Sequence, residues 1–254
     1  MDFGFGIMEK IVETKKTMIT RILHYNMALF GGFLACYAVM LRADFLGNAQ
    51  TSNLLYLVVA LVGKDFNQFI LRLFAVILYV FAAVFYVFIK KKTNYNVKYT
   101  SIIINFFALI VLSVIPQEIN NIVALYPIFF AMSFQWNAFP GEYGYASSTI
   151  FSTNNIRQVS VSFAEYFIDK DKKMLHKALF FLGTIVFFHI GIVVGYFSVK
   201  AFYIRASLVN LIFLCPALAL TYAECHCMKH KRVNKILVKN NNEGNYAKIN
   251  CNNA

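Results

Sequence analysis

Charged side chains are scarce in this sequence. Asp, Glu, Lys and Arg together make up 14% of its 254 residues, whereas 59% of the residues are hydrophobic and 27 are Phe. So few charges cannot keep a globule of this size in water. The composition excludes an ordinary soluble domain and predicts an integral membrane protein whose main partner is the lipid bilayer.

The common motifs of catalysis are missing as well. The sequence contains no HExxH helix, Gly-rich phosphate loop, nucleophile elbow or close pair of carboxylates. We therefore expect neither an enzyme nor a cofactor. The first residues also lack a short apolar run that ends at small residues, so we expect no removable signal peptide and insertion directed by the first helix.

The net charge of +12 would suggest nucleic acid binding in a soluble protein. Here the basic residues are concentrated beside apolar stretches and in the tail. That distribution is typical of membrane topology signals. We therefore expect no nucleic acid partner.

Eight apolar elements follow one another along the chain. They cover residues 20–41, 51–63, 67–90, 99–115, 120–139, 151–167, 174–199 and 206–224. The second is too short to cross a membrane, because about 13 residues of helix extend about 20 Å against about 30 Å of hydrocarbon. The sixth is too polar to face lipid. Its polar residues are Asn154, Asn155, Arg157, Gln158, Ser160, Ser162 and Glu165.

These two unusual elements begin with similar polar tripeptides, each of which is here called a Thr-x-Asn step. Thr51-Ser52-Asn53 opens the second element, and Thr153-Asn154-Asn155 opens the sixth, about a hundred residues later. The long elements 67–90 and 174–199 recur at the same spacing. The sequence therefore predicts two copies of a four-element unit.

Four clusters of Lys and Arg predict the orientation. They are Lys10, Lys15, Lys16 and Arg21; Lys90, Lys91, Lys92 and Lys98; Lys170, Lys172, Lys173 and Lys177; and Lys229, Lys231, Arg232 and Lys235. Cytoplasmic loops carry the excess of basic residues. All four clusters lie on one side only if the elements 51–63 and 151–167 enter and leave on the same face.

The predicted fold is thus an all-α integral membrane protein with two inverted repeats, six transmembrane helices and two short re-entrant helices. We expect a multi-pass protein of the plasma membrane with both termini in the cytoplasm. A cytoplasmic segment, 1–19, precedes the membrane repeats 20–115 and 116–227. The tail, 228–254, is basic and Asn-rich, which is typical of disorder.

The starts of the two re-entrant helices are the predicted binding site. A half-helix that begins inside the membrane leaves its first N–H groups unpaired, and Thr, Ser or Asn side chains can cap them. Such a helix start also attracts a polar or anionic solute. The residues concerned are Thr51, Ser52, Asn53, Thr153, Asn154 and Asn155. Capping without any ligand is the alternative.

Arg157 and Gln135 extend the predicted site. Arg157 lies about one turn after the second step and could hold a carboxylate or phosphate, since an intramembrane Arg is costly without a function. A structural role, pairing with Glu165 or reaching the interface, is slightly favoured. The Gln135 amide could reach the second broken helix, and a hydrogen bond between helices is the alternative.

The run ECHCMKH at residues 224–230 raises the question of a metal site. Structural zinc ligands are paired two to four residues apart in separate knuckles, so this cramped run is not predicted to bind metal. Palmitoylation of its cysteines is as good an explanation. His189 stands alone in an apolar helix and is predicted to be packed and hydrogen-bonded.

These residues resemble a known family over roughly residues 28 to 225. Gly32 precedes Thr51 by about nineteen residues, and the second half contains AMSFQWN at 131–137 and TIFSTNN at 149–155. The chain in this respect is similar to the YoaK family, also called DUF1275, of multi-spanning bacterial membrane proteins without an established function. The resemblance implies a membrane protein of about six spans.

The chain departs from the pattern of that family at three positions. The glycine of the family's Thr-Gly-Asn step is Ser52 in one half and Asn154 in the other, and an acidic residue common in the first helix is Ala35. A proton-coupling role for that acid therefore does not carry over to this chain.

Three hypotheses of function remain open. The leading one is a secondary transporter or exporter of a small polar or anionic solute. The second is a non-transport membrane scaffold or partner subunit, in which the polar steps are only structural. The third, an intramembrane enzyme, has the least support because only Glu165, His189 and scattered serines are available. The solute, coupling ion and oligomeric state are not predicted.

Overall fold

The structure, a computed structural model, describes the backbone of residues 2–42 and 47–242 and the side chains of residues 13–42 and 47–227. Ten α-helices and no strand lie in these residues. The helices are α1 Asp2–Leu41, α2 Thr51–Val62, α3 Phe66–Lys92, α4 Val97–Val114, α5 Asn121–Ala124, α6 Tyr126–Ala138, α7 Thr153–Asp169, α8 Lys172–Phe202, α9 Ala206–Val209 and α10 Leu211–Asn242.

Four stretches of the described chain are long and apolar enough to cross a membrane. They are Glu13–Leu41, Phe66–Lys92, Val97–Val114 and Lys172–Cys227. The last has 56 residues and contains α8, α9 and part of α10, so it is longer than one crossing needs. Helix α2 is apolar but shorter. These helices are those of a membrane protein, as the composition predicts.

The predicted elements differ from the helices where a helix is interrupted. The element predicted at 120–139 is divided into α5 and α6 at Leu125, and Pro127 stands in the first turn of α6. Proline has no N–H group to continue a helix, so it favours a new start. The element predicted at 206–224 is divided into α9 and α10 at Asn210.

The first and last helices are longer than their apolar parts. Helix α1 begins at Asp2, so residues 2–19, predicted as a separate cytoplasmic segment, continue the first helix. Helix α10 runs to Asn242, into the predicted tail. Glu and Lys are good helix formers and can extend a helix beyond its packed part. Residues 243–254 of the tail lie outside the described residues.

Charged side chains gather at one end of the helix bundle, here called the basic end. Arg21 of α1 donates to Glu142 in the loop after α6 (2.8 Å) and to His176 of α8 (2.6 Å). Lys98 of α4 pairs with Glu224 of α10. Glu142 and Glu224 are only 2% and 5% exposed, and pairing reduces the cost of burying their charges.

The opposite end is held by hydrogen bonds to backbone carbonyls. Arg42, which is 1% exposed, donates to the carbonyls of residues 115–117 just after α4. The Tyr37 hydroxyl lies 3.1 Å from the carbonyl oxygens of Leu112 and Ile204. Helices α1, α4 and α8 therefore run from the basic end to the opposite end, and α10 runs back.

Helices α3 and α6 also run towards the basic end. A pocket of about 450 Å³ at that end is lined by Lys90 of α3 and Ala138 of α6, together with Glu142 and Glu224. The long helices thus alternate in direction along the chain.

Helix α1 packs so closely against α8 that the two backbones are in contact. A Cβ atom on Gly32 would lie 1.9 Å from the carbonyl oxygen of Phe188, and one on Gly191 would lie 2.1 Å from that of Leu29. No side chain fits at either position. Small residues commonly allow such close helix contacts in membranes, and this contact explains the glycine at position 32.

The two predicted units pack on each other in matching ways. Helix α1 of the first unit contacts α8 and α10 of the second, and α6 of the second unit contacts α3 and α4 of the first. Each short helix packs on the long helix that follows it, α2 on α3 and α7 on α8. Aromatic rings rather than glycines form the contact between α3 and α6. These rings include Phe81, Phe85, Phe130 and Phe134.

Candidate functional site

A cavity of about 1060 Å³ lies where α2 and α7 begin. Gln50, Thr51 and Ser52 line it from the first unit, and Ser152 and Thr153 line it from the second. The rest of its wall is mostly apolar. It includes Ala35, Cys36, Tyr79, Trp136, Phe188 and Ile192, and no charged side chain of the described residues. The cavity therefore brings together three residues of the predicted site.

The predicted capping roles of the two polar steps are wrong. Gln50 is at the N-cap of α2 and Ser152 at the N-cap of α7, and neither side chain makes a capping hydrogen bond. Each step occupies the first three positions inside its helix instead of the N-cap. Bonding within the helices starts with the N–H groups of Leu54 and Ile156. The earlier N–H groups have no partner within their own helices.

The asparagines of the two steps hold the helices in place. Asn155, which is 1% exposed, donates to the carbonyl of Ser148 (2.7 Å), and its Oδ1 accepts from the Ser148 N–H (3.0 Å) and the Ser147 hydroxyl (3.2 Å). Asn53 donates to the carbonyl of Arg72 in α3 (3.1 Å). Neither asparagine lines the cavity.

Gln135 reaches the second broken region without lining the cavity. Its Nε2 donates to the Thr149 hydroxyl and to the carbonyl of Met27 in α1, each over 3.1 Å. Its Oε1 accepts from Asn105 of α4 over 2.8 Å. The predicted contact with the broken helix and the alternative of bonds between helices are thus both present.

Asn154 and Arg157 lie on the outer side of α7. Asn154 donates to the carbonyl of Ala146 (3.0 Å), and Arg157 donates to Asn154 Oδ1 over a long 3.4 Å. Arg157 is exposed. No ion pair of the described residues joins it to Glu165. Arg157 does not line the cavity.

Asn48 links the segment before α2 to the segment before α7. It is fully buried, and its Nδ2 donates to the carbonyl of Gly31 in α1 (2.8 Å) and to that of Ile150 just before α7 (3.1 Å). The segments that lead into α2 and α7 therefore meet α1 at Gly31, about halfway between Arg21 at the basic end and Arg42 at the opposite end. The only sequence signal for Asn48 is its place in the turn before Thr51.

Two buried polar atoms at the cavity have no hydrogen-bond partner among the described residues. They are Gln50 Nε2 and Ser152 Oγ. Both residues line the cavity, and each directly precedes a Thr-x-Asn step, so they occupy equivalent positions in the two units. Buried polar atoms normally form hydrogen bonds, so these two are exceptions. Because the atoms themselves are buried, water or a solute reaches them only if the side chains rotate towards the cavity.

His24 and Ser147 form a second buried polar group that has no sequence signal. His24 Nε2 lies 3.0 Å from Ser147 Oγ, and the residues are 1% and 0% exposed. A histidine beside a serine hydroxyl resembles a base and its nucleophile. Neither residue lines the cavity, so this pair is not placed to contact a bound solute.

His189 and the Cys-His run have no part in this site. His189 is exposed, and its Nδ1 lies 2.8 Å from the carbonyl oxygen of Ile185 in its own helix. It is hydrogen-bonded as predicted, but the prediction of a packed side chain is wrong. Across the described side chains, no three His, Cys, Asp or Glu residues come together as metal ligands. The His230 side chain lies outside that range.

Comparison with known proteins identifies the family of the chain. Residues 23–221 match the family described as "Protein of unknown function (DUF1275)". No curated protein and no solved structure matches the chain. The matched segment covers more than half of the chain and includes both Thr-x-Asn steps and the cavity. The resemblance suggested by those steps is confirmed, and the chain belongs to the DUF1275 family.

Proposed function

We propose that the protein is a secondary transporter or exporter of a small polar or anionic solute, which binds in the cavity between α2 and α7. The observation that carries this proposal is the pair of unsatisfied atoms, Gln50 Nε2 and Ser152 Oγ, at equivalent positions around one cavity. Broken helices that face a common site from two repeats are a recurrent design of secondary transporters.

The chemistry of the cavity favours a solute with one polar or anionic group. The first N–H groups of α2 and α7 lack partners within their helices, and both helix dipoles present their positive ends there. Thr51, Ser52 and Thr153 add hydroxyl groups. The apolar wall, which includes Phe188, accommodates the remaining part of the solute.

The proposed architecture has six crossings in two inverted repeats, with α2 and α7 re-entrant. Helix α1 runs away from the basic end, whereas α6, its counterpart in the second unit, runs towards it. The contacts between the units correspond as well. Helix α1 of the first unit packs on α8 and α10 of the second, and α6 of the second unit packs on α3 and α4 of the first. Asn48 holds the segments before both short helices at Gly31 of α1, about halfway between Arg21 and Arg42, as expected for helices that turn back inside the membrane.

The proposed location is the plasma membrane, with both termini and the basic end in the cytoplasm. This orientation places the basic clusters inside, in agreement with the positive-inside rule. Single cysteines at Gly63 and Lys91, in a variant without the five native cysteines, test it. A membrane-impermeant reagent added from outside should label the cysteine at position 63, and it should label the cysteine at position 91 only after the membrane is opened. The reverse pattern is expected if residues 51–63 cross the membrane, and it contradicts the re-entrant arrangement.

A binding screen tests the proposed transport site. Trp136 is the only tryptophan of the chain and lines the cavity, so its fluorescence reports on a bound solute. Small anions, amino acids and nucleosides are screened by Trp136 fluorescence and thermal shift. For a hit, the double variant Thr51→Ala and Thr153→Ala should bind at least about tenfold more weakly, because each lost hydrogen bond contributes about 1 kcal/mol.

Ser160→Ala is the matched control for the binding screen. Ser160 is an exposed residue of α7 that does not line the cavity, so the loss of its hydroxyl should leave solute binding unchanged. No stabilising solute, or equal binding by the wild type and the double variant, contradicts the proposal.

The exposed polar face of α7 favours a second candidate function, a partner subunit. Arg157 and Ser160 are exposed there, and lipid covers such groups poorly. A stoichiometric partner that co-purifies with the wild type, is lost with Arg157→Leu, and is accompanied by no solute binding would favour this candidate over transport.

A further inference from the structure

The cavity at the starts of α2 and α7 is larger than a small ion needs. Its volume is about 1060 Å³, and sites of about 300–1,000 Å³ already enclose organic ligands of drug size. An inorganic ion or a two-carbon acid would leave most of this space empty. The volume therefore indicates a ligand with an organic body.

Polar and apolar groups are separated in the wall of the cavity. Its amide and aliphatic hydroxyl groups all belong to the two helix starts, at residues 50–52 and 152–153. Most of the remaining wall is aliphatic or aromatic and includes Leu55, Phe188 and Ile192. Organic ligands are commonly held in this way, with a few polar groups that orient them and an apolar wall that covers the rest. The wall therefore matches an amphipathic ligand.

The electrostatics of the helix starts match a single negative charge. No charged side chain of the described residues lines the cavity. Each helix dipole is equivalent to about half a positive charge at its N-terminus, so α2 and α7 together match one anionic group. A second negative charge, as on phosphate, or the ammonium group of an amino acid would lack a counter-charge, which is costly inside a membrane.

Both kinds of wall are accessible from the surface of the protein. Thr51, Ser52 and Thr153 are exposed, so a ligand reaches these residues without rotation of a buried side chain. Leu54 and Leu55, which also line the cavity, are 46% and 59% exposed on the apolar outer face of α2. An apolar body can therefore leave the helix starts along α2 without meeting a polar surface.

We propose that the solute is an amphipathic monoanion, with one carboxylate or sulfonate head on an aliphatic or aromatic body. The head binds at the starts of α2 and α7, and the body packs against Leu55, Phe188 and Ile192. This assignment rests on the proposed transport function and narrows its solute to one class. Phosphate, amino acids and nucleosides are thereby excluded. An uncharged hydrocarbon chain of the bilayer is the competing occupant.

A series of ligands with the same body tests the head group. The full-length protein in liposomes is titrated with octanoate, octanol and octylamine at neutral pH, where a carboxylate is ionised. Trp136 lines the cavity and packs edge-to-face on Phe151 (4.9 Å), so its fluorescence reports binding, and thermal shift is the second readout. At equal concentrations in the lipid, octanoate should bind at least about tenfold more tightly, because a hydrogen bond to a charged group contributes about 1.5 kcal/mol or more.

A matched pair of variants tests the place of binding. Leu55 lines the cavity one turn after Thr51 on the same face of α2, whereas Val58, which is similarly exposed (55% against 59%), does not line it. Leu55→Asp places a negative charge beside the head group and should weaken octanoate binding at least about tenfold. Val58→Asp should leave it unchanged. The double variant Thr51→Ala and Thr153→Ala serves if Leu55→Asp does not fold.

The outcomes separate the solute class from transport itself. Octanol or octylamine that binds as well as octanoate, acetate or phosphate that binds as tightly, or octanoate binding that persists in folded Leu55→Asp overturns the amphipathic monoanion. No response to octanoate in either readout overturns it as well. Liposome uptake of octanesulfonate, which stays ionised, tests transport, and octanoate binding without this uptake contradicts transport alone. Binding and uptake of another solute class contradicts the amphipathic monoanion alone.

Discussion

The two half-helices α2 and α7 begin alike and continue differently. Both start at a Thr-x-Asn step beside the same cavity. Helix α2 has 12 residues in all and an apolar exposed face, whereas α7 has 17 residues and exposes Arg157 and Ser160. The shared starts indicate where a solute would bind, and the different outer faces indicate that the two helices meet different surroundings.

The helices on which the two half-helices pack differ as well. Helix α7 packs on α8, which meets α1 through Gly32 and Gly191, whereas α2 packs on α3, which meets α6 through phenylalanine rings. Backbone contacts cannot adjust, but side chains can repack. We therefore expect changes on the α7 side to be tolerated less than changes on the α2 side.

Gly32→Ala has the largest expected effect. Its Cβ would lie 1.9 Å from the Phe188 carbonyl oxygen, so α1 and α8 must separate at a cost of at least about 3 kcal/mol. Thermal unfolding in nanodiscs measures the change. Gly63→Ala, whose nearest contact is 3.1 Å away within its own helix, is the matched control, and equal losses in the two variants would remove the proposed difference in rigidity.

An arginine substituted at equivalent positions of α2 and α7 tests which of the two helices faces lipid. Val58 of α2 and Ser160 of α7 are both exposed and lie at the same distance from their Thr-x-Asn steps. Val58→Arg should reduce the free energy of unfolding by about 2 kcal/mol if α2 faces lipid. Ser160→Arg, beside Arg157, should change it by less than about 0.5 kcal/mol. The reverse order would show that α7, not α2, faces lipid.

The asparagines of the two Thr-x-Asn steps, Asn53 and Asn155, should differ less in their effect on stability. Asn155→Ala leaves the Ser148 N–H and carbonyl without their partner, for an expected loss of about 1.5 kcal/mol. Asn53→Ala removes the bond to Arg72 and should cost less, about 1 kcal/mol. Unfolding temperatures of the two variants, measured side by side, check the order, and a larger loss for Asn53→Ala would contradict it.

Ser152→Ala has the smallest expected effect on stability. Its hydroxyl has no partner among the described residues, so its removal should change the free energy of unfolding by less than about 0.5 kcal/mol. Gln50→Ala should cost about 1 kcal/mol because Gln50 Oε1 accepts from Asn53. Both variants should weaken the binding of a solute found in the screen. A clear loss of stability in Ser152→Ala would show that its hydroxyl has a structural partner.

Helix positions were predictable because hydrophobicity and polar steps are local properties. The predicted elements 51–63, 67–90 and 99–115 agree with α2, α3 and α4 within about two residues, the usual uncertainty of helix ends. The predicted site residues Thr51, Ser52 and Thr153 do meet at one cavity. Capping was not predictable, since one residue of shift at a helix start moves a side chain from the cap into the first turn.

The residues that build the site from a distance could not be read from the sequence. Asn48 bonds to Ile150, and His24 to Ser147, across about a hundred residues or more. No pattern in one sequence identifies such pairs, because a lone Asn in a turn or a lone His in an apolar helix has the same local surroundings whatever it contacts. His189, which looked similar to His24, is exposed.

The sequence by itself determined that the chain is helical and apolar enough for a membrane, and it predicts two related units that are each interrupted at a Thr-x-Asn step. Those properties follow from composition and spacing. The tertiary structure alone decided that both steps face one cavity, that Gln50 and Ser152 are unsatisfied there, and that His24 lies buried behind α7. Hydrogen-bond partners and burial arise only when distant helices pack, so they are properties of the fold.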